Sequence, residues 1–302
     1  MTVLLSFIAG VMGLLLGSFA GAQVWRLRAR QLAHDKAAGE EYDTSEYKRL
    51  HGLMGQKTSE DRSRCLSCGH TLAWYDLIPL VSWVSTRGKC RYCKQPIGLL
   101  EPLIELGTAS VFGLFTYMWI ASSGLQAFGL ILLLLWLAAF VMLIILFVYD
   151  LKWFLLPDVI MFPLIGLSLV ISLMSITLFS NATLGEIAST TTSVAILGGL
   201  YLILWLVSKG AWVGFGDVKL GVALGLLLMD WKLALLTLFL ANLIGTLVVL
   251  PGLLSGKLSR KAQVPFGPFL ILGFFISLTA GHWILDGYMA FTQWLSTVLL
   301  ML

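Results

Sequence analysis

Charged residues are scarce in this sequence: Lys, Arg, Asp and Glu make up 12% of its 302 residues, whereas a soluble domain carries about 25%. Hydrophobic residues make up 58%, and several apolar runs reach the ~18–20 residues needed to cross the hydrocarbon core of a membrane. The runs lack the strict alternation of β-barrel strands. We also find no internal repeat of the kind that marks many transporters. The composition therefore excludes a soluble domain and predicts an all-α polytopic membrane protein.

The apolar runs predict about eight transmembrane helices. The first is longer than a signal-peptide core and has no clear cleavage site, so we expect it to be retained. The sixth is short, since its 12 residues would rise only about 18 Å as a helix, against ~30 Å of hydrocarbon. We expect the apolar tail, Met289–Leu302, to lie at the interface or beside the bundle. The predicted spans are Val3–Val24, Leu103–Ile120, Leu125–Val148, Val159–Phe179, Ala188–Val207, Val218–Met229, Leu233–Leu250 and Phe266–Ile284.

The basic residues are distributed very unevenly among the predicted loops. With the N-terminus outside and eight crossings, the inner loops are 26–100, 149–158, 208–219 and 255–264. These loops hold 19 of the 20 Lys and Arg residues, all except Lys232. Because loops rich in Lys and Arg stay in the cytoplasm, the sequence predicts this topology.

The chain therefore divides into three predicted parts. Residues 1–25 form the first transmembrane helix, residues 26–100 a cytoplasmic region, and residues 101–302 a multi-helix membrane domain. The first half of the cytoplasmic region, through Asp61, is charged and is either a short surface helix around Glu40–Leu50 or a mobile linker.

All four cysteines lie in the cytoplasmic region, as the two Cys-x-x-Cys pairs Cys65/Cys68 and Cys90/Cys93, with 21 residues between the pairs. Four thiolates at this spacing suit tetrahedral zinc, and four sulfur ligands leave no open position, so a structural zinc module with four cysteine ligands is predicted over residues 65–93. A redox dithiol is the less favoured alternative, because two pairs are present rather than one. His70 is more consistent with a bystander than with a ligand.

Two aspartates at predicted inner helix ends are the candidate catalytic residues. Asp150 ends the third span, and Asp217 lies in the run Gly214-Phe215-Gly216-Asp217 at the start of the sixth. Two neighbouring carboxylates share a proton, so one can act as a general base on water while the other polarises a carbonyl. That is aspartyl protease chemistry. The alternative is that both aspartates are solvated at the headgroup level.

Three other acidic residues on the predicted inner side have less specific interpretations. Asp158 follows Pro157 at the start of the fourth span, which favours a helix-capping role. Glu101 and Glu105 share one face of the second span and are either interfacial charges or contacts for a basic peptide. The aromatic segment between the cysteine pairs is expected to pack within the zinc module.

Several motifs, in this order along nearly the whole chain, resemble those of the type IV prepilin peptidases. They are Gly17-Ser18-Phe19-Ala20 with Arg26-Leu27, Arg62-Ser63-Arg64-Cys65-Leu66-Ser67-Cys68-Gly69-His70, Ile78-Pro79 with Ser82-Trp83, Arg87-Gly88-Lys89-Cys90-Arg91-Tyr92-Cys93, Pro102-Leu103-Ile104-Glu105-Leu106, Asp150 with Pro157-Asp158, and Gly214-Phe215-Gly216-Asp217-Val218-Lys219.

The resemblance implies a bifunctional membrane enzyme of the bacterial inner membrane. It implies that Asp150 and Asp217 are the catalytic aspartates of a Gly-x-Gly-Asp peptidase. The substrate would be a type IV prepilin or pseudopilin precursor, cut on the cytoplasmic side after the glycine that follows its basic leader. The new N-terminal residue would then be methylated from S-adenosylmethionine. The expected partners are this precursor and the lipid bilayer, with no nucleic acid.

The sequence departs from the family pattern at three places in its N-terminal region. Asp76-Leu77 stands where Glu-Asn is usual, Glu101-Pro102 where Tyr-Pro is frequent, and Gly21 where Asn is frequent. The two aspartates are unaffected. Two other classes of function are alternatives: a proton-coupled transporter, which predicts repeats and mid-span charges that we do not find, and a scaffold whose zinc module docks a partner, which predicts that Asp217→Asn keeps function.

Overall fold

The computed structural model describes residues 1–54, 62–124, 126–179, 183–257 and 264–301, and this part of the chain is helical apart from two isolated β-bridges. Five residues named in the predictions lie outside the described part: Lys57, Arg260 and Lys261 of the inner loops, Leu125 of the third span and Leu302 of the tail.

The α-helices are α1 (Thr2–Ala38), α2 (Thr44–Leu50), α3 (Val81–Ser85), α4 (Leu100–Ser123), α5 (Ala127–Trp153), α6 (Asp158–Phe179), α7 (Leu184–Val194), α8 (Leu200–Ser208), α9 (Phe215–Leu228), α10 (Trp231–Leu254) and α11 (Gly267–Met301).

Seven helical stretches in the described part are long and apolar enough to cross a membrane, which confirms the predicted all-α polytopic class. They are α1, α4, α5, α6, the continuous stretch from α7 through α8, α10 and α11. The predicted sixth span is α9, and its 14 residues make it a short helix of about 21 Å.

Several boundaries differ from the predicted ones. α1 continues past Val24, through the basic cluster, to Ala38. α11 continues to Met301, so the apolar tail extends the last helix instead of forming a separate element. A π-helical turn, Ala195–Gly199, interrupts the fifth span. Helix-forming residues beyond the apolar core extend α1, which hydropathy alone does not register. α11 instead continues without interruption through the apolar tail.

The chain forms two compact units, Met1–Ile145 and Leu146–Leu302, and the boundary falls within α5. In the first unit α1 packs closely on α4. A Cβ at Gly13 or Gly17 would lie within 2.8 Å of the α4 backbone, as expected where small residues let two membrane helices approach. Asp43 caps α2 through the amides of Ser45 and Glu46, so the polar segment after α1 contains the short helix that was one of its two predicted forms.

In the second unit the short helix α9 is largely buried. It buries eight of its 14 residues and contacts α6, α7, α8, α10 and α11. α10 and α11 pack against each other as neighbours. A helix surrounded in this way holds the residues at its first turn in a defined position, because its packing leaves little freedom to shift.

Candidate active site and candidate metal centre

Asp150 lies in the last turn of α5, and its side chain is buried, at 5% exposure. The helix ends three residues later. Phe154, just beyond it, has a positive φ of 56°, a conformation that costs a non-glycine residue roughly 1–2 kcal/mol, and its amide donates to the Asp150 carbonyl at 2.9 Å. This sharp turn leads the chain back toward Asp150 through Leu156 and into α6.

Asp217 lies in the first turn of α9, with Gly214 as the N-cap residue. The Gly-x-Gly-Asp run therefore begins a helix. The Asp217 amide donates to the Gly214 carbonyl at 3.1 Å. The positive end of the helix dipole and the free amides of the first turn favour a negative charge at this position.

The fold brings the two predicted catalytic aspartates together within the second unit. Asp150 and Asp217 lie close enough for their charges to interact. Leu156 packs beside two glycines of this site: its side chain lies 3.1 Å from the position that a Cβ on Gly216 would take, and 3.6 Å from the corresponding position on Gly267. It therefore lies beside the residue that precedes Asp217 and the residue that bonds to Asp150.

The start of α11 supplies a hydrogen bond to this pair. The Gly267 amide donates to Oδ2 of Asp150 at 3.0 Å. A Cβ on Gly267 would lie only 2.6 Å from that oxygen, so position 267 accepts no larger residue without moving the carboxylate. Sequence analysis missed this residue. The run Pro265-Phe266-Gly267-Pro268 before an apolar stretch marks a helix start, but does not indicate which side chain the start faces.

Tyr201 is a second residue that sequence analysis missed. It is buried, its ring lies against Phe266 with centroids 5.4 Å apart, and it is close enough to Asp217 for their charges to interact. Among the described residues its hydroxyl has no hydrogen-bond partner. A buried hydroxyl without a partner is costly, and such groups occur where a substrate or water completes the hydrogen bonding.

An ion pair joins two neighbouring helix starts. Lys219 in α9 donates to Oδ1 of Asp158 at the first position of α6, and its ammonium group lies over the rings of Phe162 and Phe215 at 5.0 and 5.4 Å. Asp158 therefore pairs with a basic side chain, beyond the capping role expected for it. The end of α5 and the starts of α6, α9 and α11 consequently lie at one end of the second unit.

The first unit contains the cysteine cluster. The ligand atoms of Cys65, Cys68, Cys90 and Cys93 all lie within 4.8 Å of one another, and the Sγ atoms of Cys65 and Cys93 are 3.9 Å apart. Four sulfurs at ~2.3 Å around a tetrahedral zinc ion are separated by about 3.8 Å. The arrangement fits a four-coordinate metal ion, and His70 is not part of the cluster, as predicted.

Each cysteine pair forms a tight turn of the kind that holds a metal. In the first pair the Gly69 amide donates to the Cys65 carbonyl at 2.9 Å, and in the second the Lys94 amide donates to the Cys90 carbonyl at 3.0 Å. Burial opposes ionisation of the Cys65 thiol, but the amides of Cys68 and Ser67 outweigh it and lower its pKa to about 7. Metals bind the thiolate form, so the first turn favours metal binding at Cys65.

Asp76 connects the segment between the cysteine pairs to the second pair. Its carboxylate accepts hydrogen bonds from Arg91 Nε at 2.9 Å, from the Tyr92 hydroxyl at 3.0 Å and from the Ala73 amide at 3.2 Å. Burial opposes the charge, but the bonds from Arg91 and Tyr92 outweigh it and hold the pKa of Asp76 below its usual value. The segment is thereby attached to the second pair by a buried, charged acceptor.

Glu101 and Glu105 act as internal acceptors. Glu105 is buried, and its Oε2 accepts a hydrogen bond from the Leu80 amide at 2.8 Å. Glu101 Oε1 accepts from Trp25 Nε1 at 3.4 Å. The two glutamates therefore connect α4 to the cysteine-containing segment and to α1.

Comparison with known proteins identifies the class. Residues 11–119 match the bacterial peptidase A24 N-terminal domain, and residues 136–250 match the type IV leader peptidase family. The chain belongs to the type IV leader peptidase family.

Named relatives match over most of the chain. A "Prepilin leader peptidase/N-methyltransferase" from Burkholderia pseudomallei (strain 1026b) is 32% identical over 276 residues, 87% of this chain and 81% of the relative. Proteins with the same name from Stutzerimonas stutzeri and Pseudomonas aeruginosa are 30% and 32% identical, over 94% and 93% of this chain and 93% and 92% of their own length. No solved structure matches the chain.

Proposed function

We propose that this protein removes the leader peptide from a type IV prepilin or pseudopilin precursor with Asp150 and Asp217, and then methylates the new terminal amine. The observation that carries the proposal is the convergence of these two aspartates, 67 positions apart in the sequence, at one end of the second unit. The names of the relatives suggest the substrate class and the second activity.

The two carboxylates would divide the hydrolytic work. One, ionised, removes a proton from a water molecule as the water oxygen attacks the scissile carbonyl carbon. The other, protonated, donates a hydrogen bond to the carbonyl oxygen and later a proton to the leaving nitrogen. The bond from Gly267 leaves one oxygen of Asp150 available for this work.

The methyl transfer would use S-adenosylmethionine, which supplies a methyl group on a sulfonium centre. The nitrogen lone pair forms the new bond to carbon, the carbon–sulfur electron pair stays on sulfur as S-adenosylhomocysteine leaves, and the nitrogen loses a proton. The chain must therefore hold a cationic donor near the peptide terminus that the aspartates release.

We also propose that the active site faces the cytoplasm of a bacterial inner-membrane protein whose N-terminus lies outside. The support is the concentration of basic residues in the inner loops. α9 counts as a crossing in this topology. The starts of α9 and α11 lie at one end of the unit, which requires α9 and α10 to run in opposite directions.

The four cysteines would hold a structural zinc ion. Four sulfur ligands leave no position for a substrate or water, so the ion would stabilise the segment between α2 and α4 and take no part in the chemistry. Because thiolate ligands come together only on folding, metal binding and folding of this segment are coupled.

The test is a cleavage assay with purified protein in detergent and a full-length prepilin precursor. Mass spectrometry should show loss of the leader and, with the methyl donor, one added methyl group. Asp150→Asn and Asp217→Asn should each abolish leader loss, whereas Asp286→Asn, which changes an exposed aspartate in α11, should not. Normal leader cleavage by both active-site variants would refute the two-aspartate mechanism.

A further inference from the structure

The first unit contains a cavity of about 250 Å³ between the cysteine-containing segment, α1 and α4. This volume is close to the lower end of the ~300–1,000 Å³ range of small-molecule sites. Its wall includes the rings of Trp25 and Trp83 and the carboxylates of Asp76, Glu101 and Glu105. Apolar surface predominates, and a few polar groups converge on it, which is the usual character of a ligand pocket.

Two charged side chains on this wall have unused hydrogen-bonding capacity. Oε2 of Glu101 is buried and has no hydrogen-bond partner among the described residues, although Oε1 accepts from Trp25. Arg64 Nε is likewise buried, and nothing in the described part of the chain accepts its hydrogen bond. A buried charged group without a hydrogen-bond partner costs free energy. An anionic acceptor and a cationic donor in the same cavity therefore point to a ligand that carries both a positive and a negative charge.

The aromatic walls are held in place by neighbouring groups that also line the cavity. The Trp83 indole N–H donates to the Gly98 carbonyl at 3.2 Å, and the Arg49 guanidinium lies 5.5 Å from the Trp25 ring. A flat heterocycle can stack on such rings, and a cation gains further stabilisation from their faces. The cavity thus offers a carboxylate oxygen and a guanidinium N–H without partners among the described residues, together with aromatic surface.

We propose that this cavity is the S-adenosylmethionine site. Glu101 would bind the α-ammonium group of the donor, Arg64 its α-carboxylate, and the rings of Trp25 and Trp83 its adenine and sulfonium. The inference rests on the proposed function, because the name of the relatives' second activity is what makes a methyl donor necessary. The residues fit a zwitterionic ligand better than a basic leader peptide, because the five basic side chains on the wall outnumber its three carboxylates and would repel lysine and arginine side chains. The five are Arg26, Arg49, Arg64, Lys89 and Arg91.

The experiment is equilibrium binding of S-adenosylhomocysteine and S-adenosylmethionine to the full-length, zinc-loaded protein in detergent, by calorimetry. Glu101→Gln and Arg64→Gln should each weaken binding by about 10- to 100-fold, because each removes a charge-assisted hydrogen bond. Matched controls are Glu41→Gln and Arg62→Gln, which change exposed residues outside the cavity wall and should bind as the wild type does.

A second measurement is independent of these substitutions. Ultraviolet irradiation of the wild-type protein with radiolabelled donor should attach label to a peptide that contains Trp25 or Trp83. Zinc content and melting temperature show whether each variant is folded.

The outcomes separate this site from the proposed function. The proposed site is refuted if both cavity variants bind the donor as the wild type does, or if label is attached within residues 146–302. If the wild type still methylates in that case, the proposed function stands without this site. A raised KM for the precursor with unaltered donor affinity would assign the cavity to the leader peptide instead. A wild-type protein that neither binds the donor nor methylates a processed precursor would refute both the site and the methyltransferase half of the proposed function.

Discussion

The amide of Gly267, at the first position of α11, donates a hydrogen bond of 3.0 Å to Oδ2 of Asp150, in the last turn of α5. The two residues are 117 positions apart. This bond fixes one oxygen of a buried carboxylate and leaves the other available to a water molecule or a substrate. Gly267 is therefore a positioning residue for the proposed acid–base pair.

Substitution of Gly267 by alanine should separate catalysis from folding. The added methyl group would lie 2.6 Å from the Asp150 oxygen, so the carboxylate must move. We expect the cleavage rate to fall by about 100-fold, which is the order of loss that a 1 Å misplacement can cause. Gly287→Ala is the matched control, because the same helix has open space at that position. Precursor cleavage in membranes with equal amounts of each variant measures the effect, and equal rates for both variants would contradict the positioning role.

The Tyr201 hydroxyl is expected to bind the substrate or the attacking water. Tyr201→Phe removes a buried hydroxyl that has no partner within the described residues, so the free energy of unfolding should stay the same or rise by about 1 kcal/mol. Cleavage should nevertheless fall by about tenfold, in kcat rather than KM, through loss of one transition-state hydrogen bond. Steady-state kinetics and thermal melting provide the two readouts. Wild-type kcat in this variant would show that the hydroxyl has no catalytic part.

The cysteine cluster should hold one zinc ion per chain. Cys65→Ser and Cys90→Ser each remove one of four ligands and should lower the zinc content measured by atomic emission, with greater protease sensitivity of residues 62–98. His70→Ala is the control. His70 stacks on Tyr92 with ring centroids 3.7 Å apart but is not part of the cluster, so this variant should keep its zinc. Full zinc content in both serine variants would argue against the proposed centre.

Asp76 should determine how firmly the second cysteine pair is attached. Asp76→Ala leaves Arg91 and Tyr92 without their shared acceptor, and we expect faster zinc loss to a chelator. The folded-state pKa of Asp76 is lowered. Its contribution to stability is therefore complete above the unfolded-state pKa of about 3.9, and is lost as the pH falls through the lower folded-state value.

Zinc release from the wild type should accordingly accelerate at acid pH. Thiolate protonation also contributes to this acceleration, so the comparison with Asp76→Ala isolates the part that belongs to the carboxylate. Ser85→Ala, which removes an exposed hydroxyl bonded only to the Ser82 carbonyl, is the control and should release zinc at the wild-type rate. Identical release from wild type and Asp76→Ala across the pH range would contradict the role of Asp76.

Much of the architecture could be predicted from local patterns. Continuous apolar runs predict helices that cross a membrane, and two Cys-x-x-Cys pairs predict a metal-binding turn, because each signal depends on residues close together in the chain. The shortness of α9 was also predicted. The end of α1 was not, since helix propensity continues where hydrophobicity stops. The continuation of α11 through the apolar tail was not predicted either.

Residue type and near-neighbour spacing were enough to predict the class of fold and to single out two aspartates and four cysteines as candidate site residues. The tertiary structure was needed to show that Gly267 bonds to Asp150, that Tyr201 lies beside Asp217, and that Glu101 and Arg64 share a cavity with two tryptophans. The physical reason is that such contacts arise from packing between helices distant in the chain, where neither hydropathy nor spacing specifies which side chains meet.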